Sequence, residues 1–357
     1  MKKLPLAGCA VWTLLAAGCS RYADFTLPPP PGAPVEVSFR WEALPEPVLS
    51  RGAPGTWDAV DVLNPSVVRQ GGLLYNFYSG FDGRTWHTGL ATSTDGVRWV
   101  KQGRVLSPDR AAWEGDYIAA NGSALFVDGR FLYWYQAGRP ARIGLATSAD
   151  GRRWSKLSQP VLGCGPRASF DEHGVADPFV VRAGAYYYLF YLGQDRARRQ
   201  RLGLARSSDG VAWWKLRSNP ILEPGPAGAF DEKGLGEPAV WAAYGHYWML
   251  YTGRDRAENR RLGLARSRDG VRWQRVSESA VFAGSVAWNS KVVCDPSVDA
   301  AGPPWRVWFG GGDVARPDEN LHGKIGLAVL SPVTAFRAAT VRERWRHVYQ
   351  QAAEGAK

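Results

Sequence analysis

Histidine, cysteine and methionine are scarce in this sequence of 357 residues, which contains five, four and two of them. Four of the histidines lie far apart and lack the spacing of metal ligands, so neither a metal site nor a cofactor is predicted. They are His87, His173, His246 and His322. Lys and Arg outnumber Asp and Glu by 44 to 33. No basic-aromatic signature accompanies this excess, so no nucleic-acid partner is predicted.

Long apolar runs are also missing, and the one near the N-terminus is too short to cross a bilayer. In MKKLPLAGCAVWTLLAAGCS a basic start, an apolar run and small residues precede a cysteine, which is the layout of an export signal. The segment LLAAGC resembles a bacterial lipoprotein signal. This resemblance implies removal of residues 1–18, lipidation of Cys19, and an exported protein anchored to the bacterial outer membrane, on its periplasmic or outer face.

Residues 19–45 would then join the lipid to the folded domain. Their proline run, in TLPPPPGAP, predicts a stiff and extended tether. Cys164 and Cys294 are the two remaining cysteines. Export would permit a disulfide, but a pair so far apart in sequence does not establish one.

Aromatic residues and glycine are abundant, with 17 Trp, 14 Tyr and 41 Gly. This composition favours short strands and tight turns, so an all-β fold is predicted. Internal repetition supports it, because one hairpin motif occurs in four copies with aspartates 55 to 60 positions apart. The copies are GLATSTDGVRW, GLATSADGRRW, GLARSSDGVAW and GLARSRDGVRW, and KIGLAVLSP at 324–332 is a decayed fifth.

A second motif precedes each hairpin, and it joins an aromatic residue, an acid or Asn, and the start of a strand. Each repeat therefore reads as four strands, and five such units predict a five-bladed β-propeller of four-stranded antiparallel blades over residues 46–335. Residues 34–44 could supply the outer strand that fastens the last blade to the first. Residues 336–357 form a tail without an assigned function. The hairpin aspartates are expected to shape turns, with the following Trp between blades.

Unlike the turn aspartates, the residue at the start of each innermost strand is a candidate for function, because the inner strands of a propeller converge on its axis. The predicted ring is Asn64, Asn121, Asp177, Glu237 and Asp295. Carboxylates that share one pocket have their pKa values pushed apart, which separates acid from base roles. For Asp177 and Glu237 we favour such a role. For Asp295 we slightly favour a structural role, in which it accepts backbone hydrogen bonds or orders a water or cation on the axis.

With ADPFVV in the third blade and GEPAVW in the fourth, the sequence resembles the five-bladed glycoside hydrolases of families 43, 32, 68 and 130. In family 43 a first-blade Asp is the general base, a third-blade Asp tunes the site and a fourth-blade Glu is the general acid. The resemblance implies that Asp177 is the tuning carboxylate and Glu237 the proton donor.

The first blade departs from this pattern, because Asn64 cannot take a proton from water. Asp61 or Asp58, just upstream, could act as the base in an inverting reaction. Alternatively, phosphate could be the nucleophile, as in the mannoside phosphorylases of family 130, and would need cations at the axis. The arginines after the second strands, Arg139, Arg196, Arg254 and Arg256, could provide them. A third alternative is that catalysis has been lost.

The loops after the second strands of blades 3 and 4 repeat an Asp-Arg pair, Asp195 with Arg196 and Asp255 with Arg256. Beside the tyrosines of these strands they would suit sugar hydroxyls and ring faces. Ion pairs between blades on a solvated rim are an equal alternative. The tyrosines are Tyr78, Tyr135, Tyr191 and Tyr251.

Two classes of function follow from the sequence. One is a monomeric glycosidase acting on an oligosaccharide or polysaccharide outside the cytoplasm. The other is a carbohydrate-binding or assembly propeller without catalysis, which Asn64 and Asn121 favour. A fold alone does not decide between them, because function depends on the site.

Overall fold

The computed structural model describes residues 21–333, whose regular secondary structure is almost entirely β-strand. The strands are Arg21–Ala23 (β1), Ser38–Ala43 (β2), Asp61–Gln70 (β3), Leu73–Phe81 (β4), Trp86–Ser93 (β5), Val100–Leu106 (β6), Ala119–Val127 (β7), Arg130–Ala137 (β8), Arg142–Ser148 (β9), Ser155–Lys156 (β10), Gly174–Ala183 (β11), Tyr186–Gln194 (β12), Gln200–Ser207 (β13), Trp214–Leu216 (β14), Gly234–Ala243 (β15), His246–Arg254 (β16), Arg260–Ser267 (β17), Gln274–Arg275 (β18), Val292–Asp299 (β19), Trp305–Gly312 (β20) and Lys324–Val333 (β21). A single 3₁₀ turn, Ala287–Asn289, precedes β19.

These strands form five antiparallel units, consistent with the five predicted blades. Blade 1 is β3–β6, blade 2 is β7–β10, blade 3 is β11–β14 and blade 4 is β15–β18. Blade 5 is β19–β21 together with β2, which pairs antiparallel with β21. Each innermost strand contacts the next, and β19 contacts β3, so the ring is closed. The closing strand expected within residues 34–44 is therefore confirmed.

The hydrophobic core lies between neighbouring blades. Phe77 and Leu90 of blade 1 pack with Phe131 and Tyr133 of blade 2. The same arrangement recurs at the other blade pairs and ends where blade 5 meets blade 1. Large aromatic side chains suit this position, because the wedge between two twisted sheets is wide and apolar.

The repeated hairpin is structural, as the sequence predicted. In blade 3, Asp209 Oδ1 accepts hydrogen bonds from the N–H groups of Val211 and Ala212 at 2.8 Å, and the Trp213 indole donates to the Gly210 carbonyl. Blades 1, 2 and 4 repeat these bonds around Asp95, Asp150 and Asp269. The hairpin Trp contacts the neighbouring blade in each case.

The predicted free tether is wrong for residues 21–37, because this segment packs on the propeller. It pairs with blade 3 through β1 and continues across blade 4, where the Tyr247 hydroxyl donates to the Pro28 carbonyl at 2.7 Å. Leu27 is buried against the turn at Gly270. We call residues 21–37 the strap. It crosses the turns at 244–245 and 269–270, at the opposite strand ends from the inner-strand starts.

Cys19 and the signal-like residues 1–18 lie outside the described residues, as does the tail at 336–357. Within residues 21–333, no helix is long and apolar enough to span a bilayer. Cys164 and Cys294 form no disulfide with each other.

Candidate active site

Five residues form a ring where the inner strands begin, and they are the five that the sequence predicted. Each sits at a β-bulge with the backbone in the left-handed region, at φ 49° for Asn64, 48° for Asn121, 46° for Asp177, 50° for Glu237 and 52° for Asp295. Asn and Asp tolerate this conformation better than Glu does. A bulge redirects a side chain out of the regular pleat, and strain of this kind is common at functional sites.

Side chains of the ring bond across blades. Asp295 of blade 5 accepts two hydrogen bonds from Asn64 of blade 1, one from its backbone N–H at 3.1 Å and one from its amide at 2.8 Å. The Asp295 N–H in turn donates to Glu237 Oε2 of blade 4 at 3.4 Å. Gly236 leaves room for Asp177, because a Cβ there would lie 3.1 Å from its carboxylate. Three carboxyl groups from blades 3, 4 and 5 are thus brought together.

The ring lies at the floor of a pocket of about 750 Å³, which we call the funnel. Side chains of Trp86, Tyr117, His173 and Leu192 contribute to its walls. The same ring residues also line a narrow space of about 40 Å³ farther along the axis. The pocket is large enough for a ligand of oligosaccharide size.

Burial and the neighbouring Glu237 charge raise the pKa of Asp177 to about 8. The same two causes raise the pKa of Asp295 well above its usual range, although the Asn64 N–H opposes this shift. Like charges so close together in a poorly solvated site disfavour full ionisation. The ring therefore holds at least one proton at neutral pH and can donate it.

Two arginines of blade 4 reach the funnel beside the carboxyl groups. Arg260 is only 8% exposed and donates to the carbonyls of Arg316 and Pro317. Arg254 donates to the Pro317 carbonyl at 3.0 Å and to Gln200 Oε1 at 2.7 Å. Sequence reasoning named Arg254 but missed Arg260. Arg260 could have been found in the sequence, because the equivalent position of blade 3 is occupied by Gln200 and so the repeat has gained a charge there.

Asp61 does not suit the base role that the sequence proposed. Its carboxylate is fully buried and accepts hydrogen bonds from the backbone N–H groups of Asn320, Leu321 and Gly323, at 2.6, 3.0 and 2.7 Å. It therefore fixes the loop that precedes β21. Asp58 is equally unsuited, because it is buried and bonds Tyr78 and Lys101.

The Asp-Arg pairs are also part of the scaffold. Asp195 caps its own loop and binds Arg199 and Arg201, and Asp255 binds Asn259 and Arg261 in the same way. Arg196 and Arg256 point to Glu172 and Glu232 rather than to the funnel. The alternative of ion pairs was therefore correct in kind, but these pairs lie within one blade and not between blades.

The tyrosines expected beside the sugar are fully buried. Each donates to the acid of the aromatic-acid motif, and that acid also binds a Lys or Arg of the outer strand. In blade 3 the Tyr191 hydroxyl and Lys215 Nζ lie 3.1 and 2.5 Å from Asp171 Oδ2. Tyr78, Tyr135 and Tyr251 repeat this arrangement in blades 1, 2 and 4.

A metal could be considered at Glu237, Cys294 and Asp295, whose ligand atoms lie within 4.8 Å of one another. The Cys294 sulfur, however, donates to Asp295 at 3.0 Å, and burial raises the pKa of its thiol well above the usual range. A protonated thiol is not a metal ligand. The group therefore offers two carboxylates at most.

A family model, the glycosyl hydrolases family 32 N-terminal domain, matches residues 73–289. The chain belongs to this family. An uncharacterized protein of Mycobacterium tuberculosis is 27% identical over 235 residues, which cover 60% of this chain and 75% of the relative. The membership agrees with the superfamily resemblance seen in ADPFVV and GEPAVW.

Two solved structures show the same fold at low identity. A glycoside hydrolase is 19% identical with a TM-score of 0.67, and the match covers 84% of this chain and 95% of the other. The second is from a study of the family 130 mannoside phosphorylases, which contain glycoside hydrolases that target β-1,2 mannosidic linkages in Candida mannan. It is 17% identical with a TM-score of 0.63 and the same coverage.

Proposed function

We propose that this protein is a glycoside hydrolase that binds an oligosaccharide or polysaccharide in the funnel and cleaves it by acid–base catalysis. The observation that carries the proposal is the convergence of Asp177, Glu237 and Asp295 on the funnel floor. Membership of a glycoside hydrolase family supports it.

Glu237 and Asp177 act together as the proton donor. Glu237 has the fourth-blade position of a general acid, and the proton held by Asp177 at neutral pH is available to the pair. A donor needs a pKa near the working pH, and burial beside a second carboxylate provides one.

Asp295, and not Asp61, provides the second catalytic carboxylate that a glycosidase needs beside its proton donor. Asn64 fits this arrangement, because its amide donates to Asp295 whereas an aspartate there would repel it. The carboxylate oxygens of Glu237 and Asp295 lie within 4.8 Å. This spacing is closer to the ~5–5.5 Å of retaining glycosidases than to the ~6.5–9.5 Å of inverting ones. We therefore expect Asp295 to be the nucleophile and the anomeric configuration to be retained. This role requires Asp295 to be ionised, so the proton that the ring holds must lie on the Asp177–Glu237 pair when substrate is bound.

The test is hydrolysis of arabinofuranosides, xylosides, fructans and mannosides, with and without inorganic phosphate, followed by NMR of the newly formed anomer. Glu237→Gln and Asp295→Asn should each lower kcat/KM by ~10³-fold or more. Glu278→Gln, an exposed glutamate outside the funnel, is the matched control and should change nothing. Full activity in Asp295→Asn, or an inverted product, would refute the nucleophile.

A family 130-like phosphorylase is the second candidate, favoured by Asn64 and by the presence of Arg139 and Arg254 in the funnel. It predicts turnover only when phosphate is added. Glycan binding without turnover under either condition would instead support a non-catalytic carbohydrate-binding propeller.

We further propose that the protein acts outside the cytoplasm on a lipid anchor at Cys19. The strap would then connect the anchor to the face opposite the funnel, because Arg21 pairs with Trp214 near the strand ends on that side. Radiolabelled palmitate should enter the wild type but not Cys19→Ala. Equal labelling of both proteins would exclude this anchor.

A further inference from the structure

The loops that follow the second strands of blades 3 and 4, residues 195–199 and 255–259, have the same backbone conformation but net charges of opposite sign. In both loops an aspartate side chain accepts a hydrogen bond from the N–H four residues on, in Asp195–Arg199 and Asp255–Asn259. The fourth residue of the loop is Arg198 in blade 3, with φ 60°, and Glu258 in blade 4, with φ 64°. The two backbones are therefore equivalent, and the side chains can be compared directly.

In blade 4 the charges of this loop are neutralised internally. The Glu258 side chain is only 14% exposed, and it forms ion pairs with Lys233 and with Arg254, whose Nε lies 3.5 Å away. The blade 3 equivalents of Lys233 and Arg254 are His173 and Gln194. Arg198 itself lines the funnel and makes no ion pair with any residue between 21 and 333.

A second cation, Arg139 of blade 2, lines the same funnel. Its guanidinium lies 4.1 Å from the centre of the Tyr117 ring, and within the described part of the chain it forms no ion pair. Stacking fixes the plane of a guanidinium and leaves its N–H edge free for a planar anion.

Nearby acids do not neutralise these two arginines. Glu172 binds Arg196 and the Ala168 N–H, and Asp318 lies 3.7 Å from Arg254. Glu319 accepts a hydrogen bond from the Tyr117 hydroxyl at 3.1 Å and forms no ion pair with Arg139. A neutral sugar would leave both guanidiniums without an anionic partner inside the funnel. A carboxylate accepts two parallel hydrogen bonds from one arginine, which gives both charge and geometric recognition.

We propose that Arg139 and Arg198 each offer the funnel a guanidinium that binds an oxyanion, and that the ligand is the carboxylate of an acidic sugar in the glycan. The substrate class is then a uronic-acid-containing oligosaccharide or polysaccharide. This inference rests on the proposed function, because it assigns a substrate class to the same funnel. Inorganic phosphate has related chemistry and must be separated by experiment.

The test is calorimetric binding of oligogalacturonates, glucuronoxylan oligosaccharides and alginate oligosaccharides to the full chain. Each is measured beside its carboxyl-reduced form. At least one acidic form should bind ten-fold or more tightly than its neutral partner. Arg139→Gln and Arg198→Glu, the latter a copy of the Glu258 loop, should each abolish this preference. Arg153→Gln is the matched control on the opposite face and should retain it.

Three outcomes would overturn the inference: equal binding of every acidic and reduced pair, an unchanged preference in both arginine variants, or phosphate that occupies the site and displaces no acidic glycan. Because binding is measured without turnover, the proposed hydrolysis can fail while this site is confirmed. Hydrolysis of neutral glycans, unaffected by either arginine variant, would refute this site and leave the glycosidase intact.

Discussion

Blades 3 and 4 are near-copies that agree in their scaffold and differ in the funnel. Both inner hairpins have the same register, with the bulge at equivalent positions. Their hairpin turns and acid-tyrosine-cation groups are also alike. Positions that line the funnel in blade 3 have changed in blade 4, among them Asp177 to Glu237, Gln194 to Arg254, Arg198 to Glu258 and Gln200 to Arg260. The repeat thus retains the residues that fold a blade, while those that can contact a ligand have diverged.

Exchanging the ring acids of blades 3 and 4, Asp177 and Glu237, should have the largest effect on activity. In Asp177→Glu with Glu237→Asp, the charge is unchanged but each carboxyl group moves by about one methylene. We expect kcat/KM to fall by ~10²-fold, since displacement of a reacting group by about 1 Å has a cost of that order. The melting temperature should stay near that of the wild type. Full activity after the exchange would show that the side-chain lengths do not matter.

The pH dependence should distinguish the Asp177–Glu237 pair from an isolated carboxylate. The pKa of Asp177 is raised to about 8, so the donor loses its proton as pH rises through that value. We expect kcat/KM to decrease about ten-fold per pH unit above about pH 8. Asp177→Asn should move this limb to lower pH in any residual activity. A profile that is already falling at pH 6 in the wild type would contradict the assignment.

Exchanging Arg198 and Glu258 between the blades should show which of them stabilises the fold and which binds the ligand. Glu258→Arg places a third cation beside Lys233 and Arg254, and we expect a loss of about 3 kcal/mol in the free energy of unfolding. Arg198→Glu should change that free energy by less than about 0.5 kcal/mol, because Arg198 is exposed. Urea denaturation of both variants measures this contrast. Equal losses would mean that Arg198 also stabilises the fold.

The turn aspartates should show the smallest effect and no difference between the blades. Asp209→Ala and Asp269→Ala each remove the same two hydrogen bonds from backbone N–H groups of the turn. Asp269→Ala also removes an ion pair with Arg272, which should contribute little because the arginine is exposed. We expect a loss of about 1–2 kcal/mol for each variant and unchanged kcat/KM in the folded protein. Unequal losses, measured by thermal unfolding, would show that the two hairpins are not equivalent.

The blades and the ring could be predicted because their signals are local and repeated. The turn around Asp209 and the start of the inner strand at Asp177 each use residues close together in sequence. The role of Asp61 could not be predicted in this way, because the N–H groups that it binds lie about 260 positions farther along the chain. From sequence alone, an acid beside the axis and an acid that fixes a distant loop look the same.

The strap was misread for a similar reason. A run of prolines is extended in either case, and only its partners, such as the Tyr247 hydroxyl on the Pro28 carbonyl, distinguish a packed segment from a spacer. Arg260 was missed because one Gln-to-Arg change in a repeat has no meaning until both blades are placed around a common pocket.

The closing strand has a consequence for the order in which the protein is made. Ser38 pairs with Val333, 295 positions later, so the edge strand of the last blade leaves the ribosome long before its partner. Ring closure must therefore wait for nearly the whole chain, while four blades can form earlier from neighbouring segments. Pairing of such distant segments is slow, because the long loop must be closed before any contact is gained. Until β21 is made, β2 has no partner and could add to the exposed edge strand of a second, unfinished chain.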